Sequence, residues 1–253
     1  MEPSRTPRIV LVRRRVLAGG VALALTASPL LAAGEGSEAG EGAALEGLDA
    51  TAEFLTLLGL FEAQHRIVAG LYGEGEMLAA QEHLAASHHA FYDDLVAGLA
   101  RLGAVPFAAE AGVFAGAVVA GAERGNVRAV GDAVFAAIKA ARDLAPAKDR
   151  MEAAEALLKV AAGDIAAGVQ GGTVELPQEY RDAWGFSEVA GLWLADLADG
   201  ADPEPAAAAA SALNGMADVR AQFAGLTATA APGDPGAMVA AAARVELAAY
   251  RLK

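Results

Sequence analysis

The residues that offer the most chemistry are four histidines, all within a stretch of 25 residues: His65, His83, His88 and His89. Imidazole is the commonest metal ligand in proteins and changes its charge near neutral pH. Glu62 precedes His65 by three residues, so on a helix the two side chains are neighbours. Di-iron helical bundles use this Glu-x-x-His spacing twice, and this chain has it once, so we do not expect a ferritin-like oxidase.

The helical period divides these candidates by face. At 100° per residue His65 lies in the middle of an apolar stripe, and His88 lies on the apolar side of the following segment. We predict a metal site from the inward-facing polar residues of these two segments: Glu62, His65, His88 and Tyr92. The pattern places His83 and His89 off the apolar faces, as secondary candidates. The alternative is that the inward histidines are hydrogen-bonded core residues.

Two carboxylates in the second half of the chain share a helix side with apolar residues. Asp182 falls on the side of Phe186, and Glu246 lies beside Val245. A buried carboxylate needs a cation, hydrogen-bond donors or a metal, so both are further secondary candidates for the metal site. One alternative is an internal ion pair with one of the nearby arginines: Arg181, Arg220, Arg244 or Arg251. A further alternative is that these helix faces are not buried at all.

Composition excludes several classes of function. The 253 residues carry 19 basic and 32 acidic side chains, a net charge of −13 that argues against binding nucleic acid. The absence of cysteine excludes disulfides, thiolate metal sites and a catalytic thiol. The chain also lacks a G-x-S-x-G elbow, a P-loop and an H-E-x-x-H motif. We therefore expect a binding protein rather than an enzyme, with iron, zinc, copper or manganese as the metal.

The elements that must position these residues are helices. From Thr51 onward Ala, Leu, Glu and Arg dominate, and β-branched alternation is missing. Glycine and proline breaks divide this part of the chain into about nine helices joined by short loops, a pattern typical of an antiparallel all-α bundle. We assign residues 51–253 to one helical bundle domain, or to two small bundles in tandem with a seam near 171–173.

The N-terminal region has the three parts of a signal peptide. Basic residues precede an apolar run over residues 16–31, and small residues end it, so we assign residues 1–33 to a signal peptide. Gly19-Gly20 and Pro29 interrupt the run, which makes it a poor permanent membrane span. Residues 34–50 are rich in Gly and Glu and are predicted to be a mobile acidic leader. We expect a periplasmic or secreted protein without a stable membrane span after cleavage.

Three resemblances accompany these patterns. Arg13-Arg14-Arg15-Val16-Leu17 is similar to the twin-arginine export motif, with an ordinary signal peptide as the alternative. Residues 59–65, 71–72 and 88–92 resemble exported helical-bundle proteins of bacteria and, more distantly, the imelysin-like group linked to iron acquisition. That group has a G-x-H-x-x-E motif, whereas Glu62 here precedes His65, so the resemblance transfers no residue role.

The function predicted from these patterns is binding. We expect an exported, soluble helical bundle that holds a transition-metal ion or a metal-bearing ligand at the interior His/Glu cluster. The competing hypothesis is a structural or partner-binding helical module without metal or catalytic activity, in which the same residues are satisfied core polar groups.

Overall fold

The computed structural model describes residues 44–87 and 92–252. In these two ranges the chain forms ten α-helices, a 3₁₀ turn at Tyr92–Leu95 and one small hairpin, so the predicted all-α bundle is confirmed with one helix more than expected. The helices are α1 Ala50–Glu74, α2 Met77–Ala86, α3 Val96–Leu102, α4 Ala108–Val119, α5 Arg124–Arg142, α6 Ala147–Gly168, α7 Pro177–Ala198, α8 Pro203–Leu213, α9 Met216–Arg220 and α10 Pro235–Ala249. The strands are β1 Val169–Gln170 and β2 Thr173–Val174.

The first helix is the central element of the fold. It begins where the Asp49 carboxylate accepts hydrogen bonds from the backbone N–H groups of Thr51 and Ala52, at 2.8 and 2.9 Å. It ends at Gly75, whose φ of 95° is the left-handed conformation that favours glycine in a C-cap. Between these caps α1 packs against α2, α5, α6 and α7, and it is therefore buried around most of its circumference.

The helices form two four-membered groups. In the second half α6, α7, α8 and α10 close a ring in which each helix packs against two of the others. In the first half α1, α2, α4 and α5 make a similar ring, and α1 also contacts α6 and α7. The change from one group to the other falls at the short connection before α6, where Pro146 precedes the first turn.

The turn of the hairpin lies at the position of the predicted seam near 171–173. Gly171 and Gly172 have φ values of 58° and 85°, and a two-residue hairpin turn of this kind requires positive φ at both positions. Val169 pairs with Val174, and Gln170 pairs with Thr173. The two glycines therefore join α6 to α7, which pack along each other more extensively than any other described pair of helices.

The predicted leader overlaps the ordered part of the chain. Ala44 is buried and Asp49 caps α1, so residues 44–50 belong to the fold because they complete the first helix and cover its end. The signal peptide at 1–33 and residues 34–43 of the leader lie outside the described residues. None of the helices that the structure describes combines the length and apolar character needed to cross a membrane.

Candidate metal centre

Glu62 is buried and is held by partners on two sides. One carboxylate oxygen accepts hydrogen bonds from Arg66 Nε and Nη2, at 2.8 and 2.6 Å. The other accepts one from Trp193 Nε1 on α7, at 2.8 Å. The Arg66 guanidinium also lies over the Phe135 ring of α5, 4.3 Å from its centroid. This carboxylate forms a partly buried ion pair with Arg66 within α1, and its hydrogen bond from Trp193 connects α1 to α7.

His65 is a neutral core residue in this structure. Its Nδ1 lies 2.9 Å from the carbonyl oxygen of Phe61 and carries the proton, because a carbonyl can only accept. The imidazole packs between the rings of Phe61 and Phe114, with centroids 4.1 and 5.4 Å away. Burial lowers the pKa of His65 to about 4, and the Phe61 carbonyl opposes that shift only in part.

Tyr92 also has an internal partner. The Tyr92 hydroxyl accepts a hydrogen bond from the Phe107 backbone N–H at 2.7 Å, and its ring packs edge-on against the Phe61 and Phe107 rings. Glu62 and His65 direct their polar atoms to different partners. His88 and His89 lie outside the described residues, so their share of the site stays a prediction.

Two secondary candidates, His83 and Asp182, come together through Gln64. His83 Nε2 lies 2.7 Å from Gln64 Oε1 and 3.5 Å from Asp182 Oδ1, and Gln64 Nε2 donates to the same Asp182 oxygen at 2.8 Å. His83 is 1% exposed, so its expected position off the apolar side is wrong. The short helix α2 packs its His83 side against α1. Its alanine-rich sequence has too little hydrophobic contrast to indicate which side is buried.

The pKa of His83 follows from this burial. Desolvation and, to a smaller extent, the positive charge of Arg181 together lower the pKa of His83 to about 4. His83 Nδ1 is buried and has no hydrogen-bond partner among residues 44–87 and 92–252. The His83–Gln64–Asp182 triad thus joins α1, α2 and α7 through a neutral imidazole.

Glu246 differs from its sequence interpretation. The residue is exposed, and so are Val239 and Tyr250, at 56% and 87%, which the helical pattern placed beside it on a buried stripe. The prediction of a buried carboxylate at this position is therefore wrong. The reason is that α10 buries only a narrow alanine-rich face, centred on Ala241, Ala242 and Val245.

A group of three carboxylates that the sequence did not single out has the geometry of a cation site. One oxygen each from Asp49, Asp149 and Glu152 lies within 4.8 Å of those of the other two. No other group of three potential histidine or carboxylate ligands in the described ranges meets this distance. Asp49 caps α1, and Asp149 lies in the first turn of α6, so two helix N-termini meet at the group and favour negative charge.

Asp149 is the member of this group without a partner. It is 8% exposed, and it makes no hydrogen bond or ion pair with any residue that the structure describes. Burial raises the pKa of Asp149, the charge of Asp49 raises it further, and Lys148 opposes both. Burial likewise raises the pKa of Glu152, which Lys148 lowers and the neighbouring carboxylates raise. A bound cation would offset the negative charge that Lys148 leaves uncompensated.

A cavity of about 300 Å³ opens beside Glu152. Glu155 and Glu246 also line it, together with Lys148 and Lys159. Glu155 is neutralised by Lys159 at 2.6 Å, whereas Lys148 is 3.9 Å from Glu152. The carboxylate group is thus accessible from an opening with several acidic walls, which attract cations.

The sequence carried only weak signs of this group. An aspartate directly before a helix, and carboxylates three residues apart after Pro146, are ordinary features of helix N-termini. Their unusual feature is that carboxylates about a hundred residues apart in the chain lie close together in space, because α1 packs against α6.

Comparison with known families gives one match. Residues 140–250 are similar to the family model described as an iron permease-associated 4-helix bundle domain. The matched stretch is shorter than half of the chain, and it contains the ring of α6, α7, α8 and α10. The match supports a helical-bundle family, while the imelysin resemblance and the signal peptide stay predictions. No curated protein and no solved structure matches the chain.

Proposed function

We propose that this protein, in the exported form that its N-terminal sequence predicts, binds a hard metal cation through Asp49, Asp149 and Glu152. The observation that carries the proposal is Asp149. Asp149 is 8% exposed, one of its oxygens lies within 4.8 Å of those of two other acids, and no described residue donates a hydrogen bond to it, so a cation there would gain three anionic ligands.

The donor set narrows the choice of metal. Carboxylate oxygens suit hard cations, whereas zinc and copper are better held where imidazole or thiolate is present. Of the four metals that the sequence suggested, the three carboxylates therefore favour iron and manganese. Ordered water or backbone oxygens would complete the coordination, since three protein oxygens are fewer than such ions take.

The similarity to an iron permease-associated domain supports iron among these. Asp149 and Glu152 lie inside the matched stretch and Asp49 lies outside it, so the cation site would combine the matched bundle with the N-terminal helix. The acidic opening beside Glu152 would concentrate cations near the site. We propose the role of a metal-handling bundle that holds iron for a partner, which agrees with the description of the matched family as iron permease-associated.

The competing hypothesis of a structural role is favoured for a different set of residues. Glu62, His65 and Tyr92 all have protein partners, as satisfied core polar groups do. We therefore propose that these residues stabilise the bundle and that metal binding belongs to the carboxylates.

Metal titration of the purified chain tests whether the carboxylates, and not the core histidines, bind the metal. Metal-free protein is titrated with Mn²⁺ by calorimetry and electron paramagnetic resonance, and with Fe²⁺ under anaerobic conditions. We expect Asp149→Asn and Glu152→Gln each to weaken Mn²⁺ binding at least about tenfold, since each removes one of three charged ligands.

Matched controls exist in the chain. Asp234→Asn changes an aspartate that caps α10 as Asp49 caps α1, and Glu155→Gln changes the next acid along α6. Both should leave Mn²⁺ affinity within about twofold. Absence of binding by the unaltered metal-free chain, or equal losses in the controls, would contradict the proposal. Loss of binding in His65→Ala with no loss in Asp149→Asn would return the site to the histidines.

A further inference from the structure

A second cavity, separate from the carboxylate group, has the composition of a small-molecule site. It measures about 220 Å³ and lies between α7, α9 and the loop that follows α9. Two aromatic side chains, Trp184 and Phe223, form part of its wall. The polar groups at the wall are Ser187, Glu188 and Arg220. Apolar walls with a few polar groups are the usual make-up of ligand pockets.

The residues of α7 reach this cavity because they share one helix face. Trp184, Ser187 and Glu188 are followed at Gly191 by a position without a side chain. A Cβ at Gly191 would lie 3.6 Å from Arg220 Nη2 and 3.3 Å from Met216 Cε. The glycine therefore lets the guanidinium of α9 lie close against α7, at the wall of the cavity.

Two polar groups in the wall lack partners. Ser187 is 4% exposed, and its hydroxyl has no hydrogen-bond partner in the described part of the chain. Arg220 forms no ion pair and no side-chain hydrogen bond within residues 44–87 and 92–252, although the chain is strongly acidic. The buried Ser187 hydroxyl has no partner, and the exposed Arg220 guanidinium at the same cavity is engaged by no described side chain, so both can donate to an acceptor group of a ligand.

The loop on the far side is held in place without a ligand. The Tyr180 hydroxyl accepts a hydrogen bond from the Ala224 backbone N–H at 3.0 Å, and Arg181 Nε donates to the Leu226 carbonyl at 3.0 Å. The Tyr180 and Phe223 rings pack with centroids 5.6 Å apart. Burial raises the pKa of the Tyr180 phenol, which therefore remains neutral as an acceptor. The cavity wall is thus preformed, which lowers the entropic cost of binding.

We propose that this cavity binds a small aromatic carboxylate. The ring would lie against Trp184 and Phe223, and the carboxylate would accept hydrogen bonds from Arg220 and Ser187. A volume of about 220 Å³ is below that of pockets for drug-sized ligands, so a single ring is the size that fits. Glu188 at the same wall favours a ring that carries a hydrogen-bond donor and disfavours a second negative charge.

The probe that matches this description is 4-aminobenzoate, and its neutral partner is 4-aminobenzamide. Calorimetric titration of the full chain should show binding of the acid, with the amide at least about tenfold weaker because it offers no charge to Arg220. Arg220→Ala should weaken binding of the acid by a similar factor and leave the weak binding of the amide unchanged.

Two further variants separate ligand binding from structural roles. Arg244→Ala removes an exposed arginine of α10 that does not line this cavity, and it should leave affinity unchanged. Ser187→Ala should weaken 4-aminobenzoate binding severalfold while the melting temperature without ligand stays the same or rises, because the hydroxyl has no partner to lose.

Each remaining outcome counts against the proposal. Equal affinity for acid and amide, no heat at millimolar probe, or equal losses in Arg220→Ala and Arg244→Ala would overturn it. A lower melting temperature for ligand-free Ser187→Ala would show that the hydroxyl has a structural partner. Asp149→Asn should leave 4-aminobenzoate binding intact, so the result is independent of the metal site.

Discussion

Two regions of the molecule contain buried ionisable groups in contrasting environments. One is the core of α1 and α2 with its histidines, and the other is the group of carboxylates at the N-termini of α1 and α6. His65 and His83 are buried and neutral, with carbonyl, amide and aromatic partners. Asp149 is also buried, and the nearest groups are other acids. The first region is held by protein partners, apart from the buried His83 Nδ1, whereas the second concentrates negative charge that Lys148 offsets in part.

This difference shows which polar residues are candidates for ligands. A buried group with internal partners contributes to stability, and a ligand would have to displace those partners to bind it. A buried group without partners is already desolvated, so a ligand gains the full interaction. Burial alone does not separate these cases, and the partners of each atom do.

The largest expected effect comes from removing a partner in the complete region. Glu62→Ala leaves Trp193 Nε1 and Arg66 without their acceptor and should lower the free energy of unfolding by about 3 kcal/mol. Glu62→Gln keeps the shape and one acceptor and should lose less. Chemical denaturation measures both, with Glu53→Ala, an exposed acid in the first turn of α1, as the control. A loss below about 1 kcal/mol for Glu62→Ala would show that this ion pair does not stabilise the core.

Acid should destabilise the same region. Both histidines have folded pKa values of about 4, below the ordinary histidine value of 6.5, so the unfolded chain takes up protons first as the pH falls. Stability is therefore complete above pH 6.5 and falls toward pH 4, by about 2 kcal/mol per histidine at pH 5.

His65→Leu isolates one of these contributions. It should change the free energy of unfolding by about 1 kcal/mol or less at pH 7 and remove about half of the histidine-dependent loss at pH 5. Denaturation at the two pH values measures this. An unchanged acid dependence would mean that His65 is protonated in the folded state or exchanges easily with water.

The smallest expected effect is a gain in stability, in contrast to the losses above. In metal-free protein the raised pKa of Asp149 means that its ionised form is disfavoured by folding, so stability falls as pH rises above the ordinary aspartate pKa. Asp149→Asn should therefore slightly increase the free energy of unfolding at pH 7, although it also loses the favourable helix-dipole interaction.

Thermal melts with a chelator at pH 7 and near pH 3 test this sign. The stability gain of Asp149→Asn should vanish at the lower pH, where the aspartate is protonated in both the folded and the unfolded chain. Excess Mn²⁺ at pH 7 should make the melting temperature of the unaltered protein the higher of the two. A destabilised metal-free Asp149→Asn would reveal a partner for the carboxylate and remove the contrast between the two regions.

Local signals predicted the fold well. Alanine- and leucine-rich segments with glycine and proline breaks predicted an all-α bundle, and ten helices confirm it. The pair Gly171-Gly172 was recognised as a break, but its role as a hairpin turn depends on which strands pair across it. The change between helix groups falls instead before α6, because long-range contacts define the groups.

Local signals predicted the polar site only in part. Periodicity placed His65 in the core, and the structure agrees. The partner of His65 is the Phe61 carbonyl of the same helix, whereas Glu62 binds Trp193 of α7 and His83 of α2 binds Gln64 of α1. Periodicity reports which side of a helix is apolar, and it carries no information about which atoms face that side from another helix.

The sequence by itself determined that the chain is acidic and without cysteine, that its described part is helical, and where most of its helices begin and end, because composition and capping act within a few residues. Only the tertiary structure decided which ionisable groups have partners. Asp49 and Asp149 are a hundred positions apart in the chain, and their carboxylates meet because two helices pack with the same ends together. Electrostatic interactions depend on distance in space, and that distance is set by packing.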